Sequence, residues 1–386
     1  MTGAALLLVL RLISPGRAWL ATRQGTDVYL FLTGMMLLSE LARREGVFDW
    51  LAARAEAAAH GSPRRLFALV YVVGILVTVF LSNDATAVVL TPAVLAAVRR
   101  ARVEPLPYLF ACAFIANAAS FVLPISNPAN LVVYGAELPA LAAWLRIFAL
   151  PSVLAIAATF GMLFWIWRPS LTAARLNPLS ATTASSLTPA GTIAAWGLCG
   201  AACILILCSA AGISLGWPAC VTGFALVAFQ PSRVPVTLRG VSWGVIPLVA
   251  GLFVIVESLR STGALDAAST LFASLAHLSP LVASLSASFG VAALSNMINN
   301  LPAGLLTADV VRSSPGPAYL RHALLIGVDL GPNLSVTGSL ATILWLIALR
   351  RDNERVSPWT FLKAGALVMP PALLLATAAL VLTASH

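Results

Sequence analysis

Apolar stretches alternate along the whole chain with short polar segments, and most match the length of a membrane-spanning helix. A helix rises ~1.5 Å per residue, so about 20 apolar residues cross a hydrocarbon core of ~30 Å. The pattern predicts spanning helices at 27–43, 140–167, 189–209, 215–230, 242–261 and 361–383. We therefore predict an all-α polytopic membrane protein.

Two segments each contain a pair of apolar arms, and each arm is too short to cross the membrane. Residues 66–100 hold two apolar arms that each rise only ~20–24 Å, with the polar Ser82-Asn83-Asp84 between them. This pattern predicts a re-entrant helical hairpin whose tip lies near mid-membrane. A second such hairpin is predicted at 280–311.

Two other segments are too long for one straight crossing. Residues 105–135 would rise ~46 Å as one helix, and Pro124 and Pro128 interrupt them. We predict a discontinuous transmembrane helix here and another at 318–349. An unwound backbone at membrane depth is tolerated only where it is buried or lines a cavity.

The chain also repeats itself. The pairs are 34–49 with 251–266, 81–92 with 294–305, and 120–132 with 332–344. The offset changes by only a few residues, which indicates one duplicated unit. We predict a first repeat over 1–167, a linker over 168–188 and a second repeat over 189–386. Paired interruptions in matching halves are typical of the binding site of a secondary transporter.

Charge gives the orientation. The 386 residues are 60% hydrophobic and 10% charged, with a net charge of +9, which excludes a sizeable soluble domain. Of 23 Lys and Arg residues, 16 fall on one predicted side of the membrane. They lie in short loops and form no basic face, so nucleic acid is not an expected partner. The positive-inside rule makes that side cytoplasmic, including the linker 168–188, in a multi-pass protein of the inner (plasma) membrane. Three spans between the halves then make the repeats inverted.

The hairpin tips and unwound segments supply the candidate substrate site. Asn, Ser and Thr both donate and accept hydrogen bonds, which suits a small hydroxylated solute or a small ion. From the first repeat we select Ser82, Asn83, Thr86, Ser120, Ser126, Asn127 and Asn130. From the second we select Ser295, Asn296, Asn299, Asn300, Asn333, Thr337, Gly338 and Ser339. Asn117 and Thr342 belong to the same polar inventory.

Asp84 and Asp329 are the acids that the pattern places near mid-membrane. A carboxylate there costs ~2.5–3.5 kcal/mol even on a lenient insertion scale, so we assign both to proton coupling. The alternative for Asp84 is a cap on a half-helix. We predict that Glu40 and Glu257 form structural ion pairs with the arginines three residues on, and that Asp309 is solvated.

The sequence predicts no enzyme, no cofactor and no resident metal. It contains neither HExxH nor GxSxG. Cys199 and Cys203 lie one turn apart and could share a thiophilic ligand, but filling a helix interface is the better-supported interpretation. A passive channel needs a continuous polar pore, whereas the polar residues here cluster at one depth.

Four motifs resemble those of the arsenite efflux permeases (arsenical pump membrane proteins) within the ion-transporter superfamily. They are LSNDATAVVLTPAV, FIANAASFVLPISNPANLV, LSNMINNLPAGLL and IGVDLGPNLSVTGSLATILWL. The resemblance implies two inverted repeats and the export of trivalent arsenite and antimonite, as hydroxides, in exchange for protons. It also implies that a cytoplasmic ATPase is a partner in some members. A sodium/proton antiporter or a small-oxyanion transporter of the same superfamily is the alternative.

The chain departs from that family's pattern in ways that bear on the site. Asn117 stands where some relatives carry an acid, Val328 replaces a cysteine, and Asn333 replaces a lysine. One spanning helix expected at the start is missing or not included. Without a cysteine in the four motifs, we expect the substrate to be held as neutral As(OH)3 by hydrogen bonds.

Overall fold

A computed structural model describes residues 2–173, 186–263, 265–314 and 316–384. Within these ranges the regular structure is helical, without strands, as predicted. Residues 174–185, most of the predicted linker, lie outside the described part.

The predicted first repeat contains ten helices, and those at Thr26–Arg44 and Leu141–Ala173 begin within one residue of the predicted segments 27–43 and 140–167. The ten helices are α1 (Thr2–Val9), α2 (Pro15–Gln24), α3 (Thr26–Arg44), α4 (Val47–Ala58), α5 (Pro63–Phe80), α6 (Asn83–Ala85), α7 (Thr91–Arg100), α8 (Leu106–Ala118), α9 (Pro128–Tyr134) and α10 (Leu141–Ala173). A π-helical turn over Thr86–Leu90 joins α6 to α7, and a 3-10 turn over Pro124–Ser126 precedes α9.

The second repeat begins with two further helices and then follows the same order. Its helices are α11 (Pro189–Ala210), α12 (Gly216–Ala228), α13 (Val234–Gly240), α14 (Val245–Ser261), α15 (Asp266–Leu275), α16 (Pro280–Ile298), α17 (Asn300–Ser313), α18 (Ala318–Leu330), α19 (Leu340–Arg351) and α20 (Pro358–Ala384). Two 3-10 turns, Gly331–Asn333 and Val336–Gly338, lie between α18 and α19.

Five helices in the described part are long and apolar enough to cross a membrane: α5, α10, α11, α16 and α20. The pair α13 and α14, bent by 41°, would make a sixth. Both α5 and α16 were predicted as short re-entrant arms, yet they have 18 and 19 residues. Their length therefore permits a crossing, and re-entry stays a prediction.

The packing of the helices repeats with their order. In the first repeat α8 packs between α5 and α10, and in the second α18 packs between α16 and α20. The halves join through α10 against α20, through α7 against α19, and through α17 against α9. This reciprocal packing is consistent with inverted repeats.

Local chemistry explains where the interrupted helices stop. Ser82 accepts a hydrogen bond from the Ala85 backbone N–H and begins the second arm of the first hairpin. The second hairpin turns at Asn299, whose backbone has φ 80° and ψ 152°, a positive-φ conformation that residues other than glycine rarely adopt.

Three acids outside the hairpin tips, Glu40, Glu257 and Asp309, are each paired with an arginine. Glu40 binds Arg43 at 2.7 Å and Arg44 at 2.6 Å, and Glu257 lies 3.8 Å from Arg260, which confirms both predicted ion pairs. The prediction that Asp309 is solvated is wrong. It is 9% exposed and bonded to Arg312, because α17 packs against α9 and α14.

The two hairpin tips differ in how far the rest of the protein buries them. Ala85 is 1% exposed, whereas Ile298, its counterpart in the repeat, is 39% exposed. Asp84 is half-buried, whereas its counterpart Met297 is 80% exposed. Helix α11, which comes after the linker, also packs on the Pro124–Ser126 turn of the first repeat. The first tip is therefore part of the protein interior, and the second lies at its surface.

Candidate functional site

The two discontinuous helices meet where each of them unwinds. Asn117, in the last turn of α8, donates through Nδ2 to Asn333 Oδ1 at 3.0 Å. Asn333 in turn donates through its own Nδ2 to the Phe114 carbonyl at 3.0 Å. Both asparagines are fully buried, so these bonds join the repeats in a region without solvent.

A second bond between the repeats reaches the buried acid. Asn127 is the N-cap of α9, and its Oδ1 accepts from the Ala129 N–H at 3.0 Å. Its Nδ2 donates to Asp329 Oδ1 at 2.8 Å. Asp329 is 1% exposed and lies in the last turn of α18. Its carboxyl group is therefore held against the beginning of a helix from the other repeat.

The related contact in the other direction joins Asn117 to Thr342, which corresponds to Asn130 and not to Asn127. With the offset of 212, Asn117 corresponds to Asp329, and Asn127 corresponds to Ser339. Ser339 caps α19 by accepting from the Thr342 N–H at 3.1 Å, and Thr342 Oγ1 lies 3.5 Å from Asn117 Nδ2. The crossing is thus quasi-symmetric, but only one of its two matching positions carries an acid.

Asn130 holds the unwound segment of the first repeat in shape. Its Nδ2 lies 2.9 Å from the Ser120 carbonyl, 3.2 Å from that of Leu123 and 3.3 Å from that of Pro124. Carbonyls released by unwinding are thereby satisfied, as burial requires. Ser126 donates to the Val79 carbonyl at 3.1 Å and so ties this segment to the first hairpin.

The first hairpin tip is organised by short side chains. Ser82 is its cap, so the alternative that Asp84 serves as the side-chain cap is wrong. Asn83 Oδ1 accepts from the Asp84 N–H at 2.9 Å. Thr86 Oγ1 lies 2.8 Å from Thr78 Oγ1, and both are fully buried. Asp84 is left with its carboxyl group facing a cavity.

The second tip binds the unwound segment of its own repeat. Asn296 Nδ2 donates to the Gly331 carbonyl at 2.9 Å, and Asn296 Oδ1 accepts from Ser335 Oγ at 2.6 Å. Thr337 Oγ1 donates to the Asn296 carbonyl at 2.9 Å. A side chain at Gly338 would lie 2.5 Å from Pro332 Cα, so only glycine fits here.

A cavity of about 570 Å³ leads from one face of the protein to the first tip. Its mouth is lined by Arg43 and Arg351, on the face rich in arginine. Its inner end contacts Asp84 together with Pro128 and Leu340, the first residues of α9 and α19. From the arginine-rich face the cavity therefore reaches the first residues of α9 and α19, beside the crossing.

A second cavity, of about 390 Å³, uses corresponding elements of the other repeat. Leu305 of α17, Val132 of α9 and Glu257 of α14 line it. These helices correspond to the hairpin arm, α19 and α3 of the first cavity. Its lining includes none of the second-tip residues 295–300. The two cavities thus lie at related positions, but only the first reaches a hairpin tip.

The predicted site residues fall into three groups. Ser120, Ser126, Asn127, Asn130, Asn333, Ser339 and Asp329 meet at the crossing, while Ser82, Asn83, Thr86 and Asp84 lie at the first tip beside it. Ser295 and Asn300 are buried in the second hairpin, whereas Asn299 and Thr337 are bonded to each other at a partly exposed surface. Thr78 was missed, because one threonine in an apolar arm carries no signal.

Comparison with known proteins agrees with this architecture. The sequence profile of the citrate transporter family matches residues 1–327. The chain belongs to that family. It is therefore a multi-pass membrane transporter and not an enzyme.

Among its relatives are arsenical pump membrane proteins of Yersinia enterocolitica and of Escherichia coli K12. They are 29% and 28% identical over 404 and 406 residues, covering 99% of this chain and 92% of each relative. An uncharacterized transporter of Mycobacterium tuberculosis is 27% identical over 90% of this chain and 84% of its own length. The crystal structure of the Alcanivorax borkumensis YdaH transporter superposes with a TM-score of 0.59 at 17% identity, over 95% of this chain and 86% of that one. It therefore shares the fold.

Proposed function

We propose that this transporter exports trivalent arsenite and antimonite, as neutral hydroxides, in exchange for protons. The observation that carries the proposal is a buried crossing of amide and hydroxyl groups around one carboxyl group, Asp329. Relatives that cover 99% of the chain are named arsenical pumps. A small hydroxide with several O–H groups is the cargo that such a lining suits.

The family's name raises citrate as a rival, and the chemistry of the site argues against it. A tricarboxylate needs positive charge or several convergent N–H donors. The four converging motifs contain neither Arg nor Lys. The arginines at the cavity mouth, Arg43 and Arg351, lie near the surface, and Arg43 is already paired with Glu40. A neutral cargo avoids the cost of an unpaired buried charge.

The positions of the two acids support proton exchange. Asp84 lines the cavity that opens on the arginine-rich face, and Asp329 is buried in the last turn of α18, just before the unwound backbone begins at Gly331. A carboxyl group that is exposed first to one side of the membrane and then to the other can carry a proton across the membrane. With the arginine-rich face cytoplasmic, the conformation described here is the one that would receive cargo from the cell.

The test is uptake of arsenite into everted membrane vesicles, with and without an imposed pH gradient and with sodium varied. Uptake that depends on the pH gradient and not on sodium supports the proposal. Uptake driven by sodium, or uptake of citrate in place of arsenite, contradicts it. Vesicles that carry Asp329→Asn at equal expression provide the matched control.

A further inference from the structure

Three buried oxygen atoms at the crossing of the helices receive no hydrogen bond. They are Asp329 Oδ2, Asn117 Oδ1 and Asn130 Oδ1. Buried polar atoms are nearly always paired, so three orphans in one site call for an explanation. All three are acceptors, and none of the three residues exposes more than 1% of its surface.

The asparagine orientations are fixed by their neighbours, so each of these two asparagine atoms is the amide oxygen, an acceptor. Asn333 must present Oδ1 to Asn117, because its Nδ2 donates to the Phe114 carbonyl. Asn117 therefore donates to Asn333 through Nδ2 and leaves Oδ1 free. Asn130 Nδ2 faces three carbonyls, which only the N–H side can do.

Asp329 is fixed in the same way. Asn127 accepts from the Ala129 N–H through Oδ1 and so offers only its N–H groups to Asp329 Oδ1. Ser120 is the other hydroxyl beside this carboxyl group, but its O–H donates to the Asn117 carbonyl at 2.7 Å. The second oxygen, Oδ2, therefore receives no hydrogen bond. It has two chemical options: it accepts a hydrogen bond from an O–H group, or it takes up a proton.

No charged side chain among the described residues is in contact with Asp329. The titratable groups on the elements around α18 are bound elsewhere. Asp309 of α17 binds Arg312. Tyr134 of α9 contacts both Arg321 and His322 of α18. Tyr108 of α8 donates to the Pro63 carbonyl, and Lys363 of α20 lies over the Trp359 ring. Cys112, also on α8, faces Thr91.

We propose that the cargo and the proton compete for one atom, Oδ2 of Asp329. The ionised carboxylate accepts an O–H group of the hydroxide cargo, with Asn117 Oδ1 and Asn130 Oδ1 as the further acceptors. Protonation removes the negative charge and turns Oδ2 into a donor, so the cargo O–H loses its charged acceptor there and binds more weakly. Proton uptake and cargo binding therefore oppose each other, which couples their exchange. This inference rests on the proposed function, since it takes the cargo to be a neutral trihydroxide.

The test is arsenite binding to the purified full chain, by titration calorimetry at about pH 6, 7 and 8 in buffers of different ionisation enthalpy. Linkage requires that the dissociation constant rise as pH falls, by up to about tenfold per unit, with up to about one proton released per arsenite. We expect this for the wild type and for the matched control Asp266→Asn, which changes an exposed carboxyl group on α15.

Two variants test whether the proton released on arsenite binding comes from Asp329. Asp329→Asn puts an N–H donor in place of Oδ2, so binding should weaken at least about tenfold and proton release should vanish. Asp329→Glu keeps the carboxyl group and should keep proton release even if affinity falls. Tight binding with the same dissociation constant at every pH and no proton release would overturn the inference while leaving arsenite as the cargo. Absence of arsenite binding at every pH would overturn the proposed function as well.

Discussion

The hydrogen bond between Asn117 and Asn333 gives a direct test of how the two repeats are joined. Interhelical hydrogen bonds in membrane proteins contribute about 0.6 kcal/mol on average and up to about 1.7. Asn333→Ala removes two such bonds, to Asn117 and to the Phe114 carbonyl, so it should cost about 1–3 kcal/mol. Asn117→Ala removes the bond at 3.0 Å and a longer one to Thr342 at 3.5 Å, and should cost about 1–2 kcal/mol.

The double variant decides whether the bond exists. Because the two single changes remove the same bond, their costs should sum to about 0.6–1.7 kcal/mol more than the double variant costs. Unfolding in sodium dodecyl sulfate, followed by tryptophan fluorescence, measures all four proteins. The control is a double variant that combines Asn117→Ala with Ser286→Ala, at an exposed position on α16. The losses of unfolding free energy from these two changes should be additive within about 0.5 kcal/mol. Additivity of the Asn117 and Asn333 changes to within about 0.3 kcal/mol would refute the reasoning.

Further predictions concern coupling, substrate chemistry, the second tip and topology. Asp329→Asn should abolish pH-driven transport with the fold intact, and Asp84→Asn should reduce it; wild-type flux in both would show that neither carries the proton. A variant with all five cysteines replaced by Ala or Ser should still export arsenite, because the four motifs lack a thiol; a folded but inactive protein would reverse this. Asn296→Ala removes bonds to the Ala292 and Gly331 carbonyls and to Ser335 and should lower export at least about tenfold. Single cysteines introduced at 350–358 should resist an impermeant thiol reagent in intact cells, and ready labelling would overturn the orientation.

The positions of the helices could be predicted from the sequence because each depends on local chemistry. Apolar length predicted the spans at α10, α11 and α20, but it also predicted one at 215–230, where α12 has only 13 residues. Proline or asparagine predicted the breaks. The start of the broken α9 at Pro128 follows from a proline that is favourable at the first helical position and an asparagine that caps it. The duplicated motifs supplied the second repeat without a separate argument.

The partners of the site residues could not be predicted in this way. That Asn127 of one repeat binds Asp329 of the other depends on how α9 and α18 pack, and no local pattern carries that information. The burial of Asp309 and the exposure of Met297 likewise depend on which helices cover a surface. The sequence could list the polar residues at one depth, but only the packed structure shows that the cavity at one tip also contacts Pro128 and Leu340, beside the crossing.

The central claim, exchange of a neutral arsenic hydroxide for protons, is tested most directly in sealed proteoliposomes that contain the purified protein and a trapped pH-sensitive dye. An outward arsenite gradient, with sodium absent and without an initial pH difference, should drive protons inward and acidify the lumen. Asp329→Asn should remove the signal. An arsenite flux of wild-type size that leaves the internal pH unchanged would contradict the account.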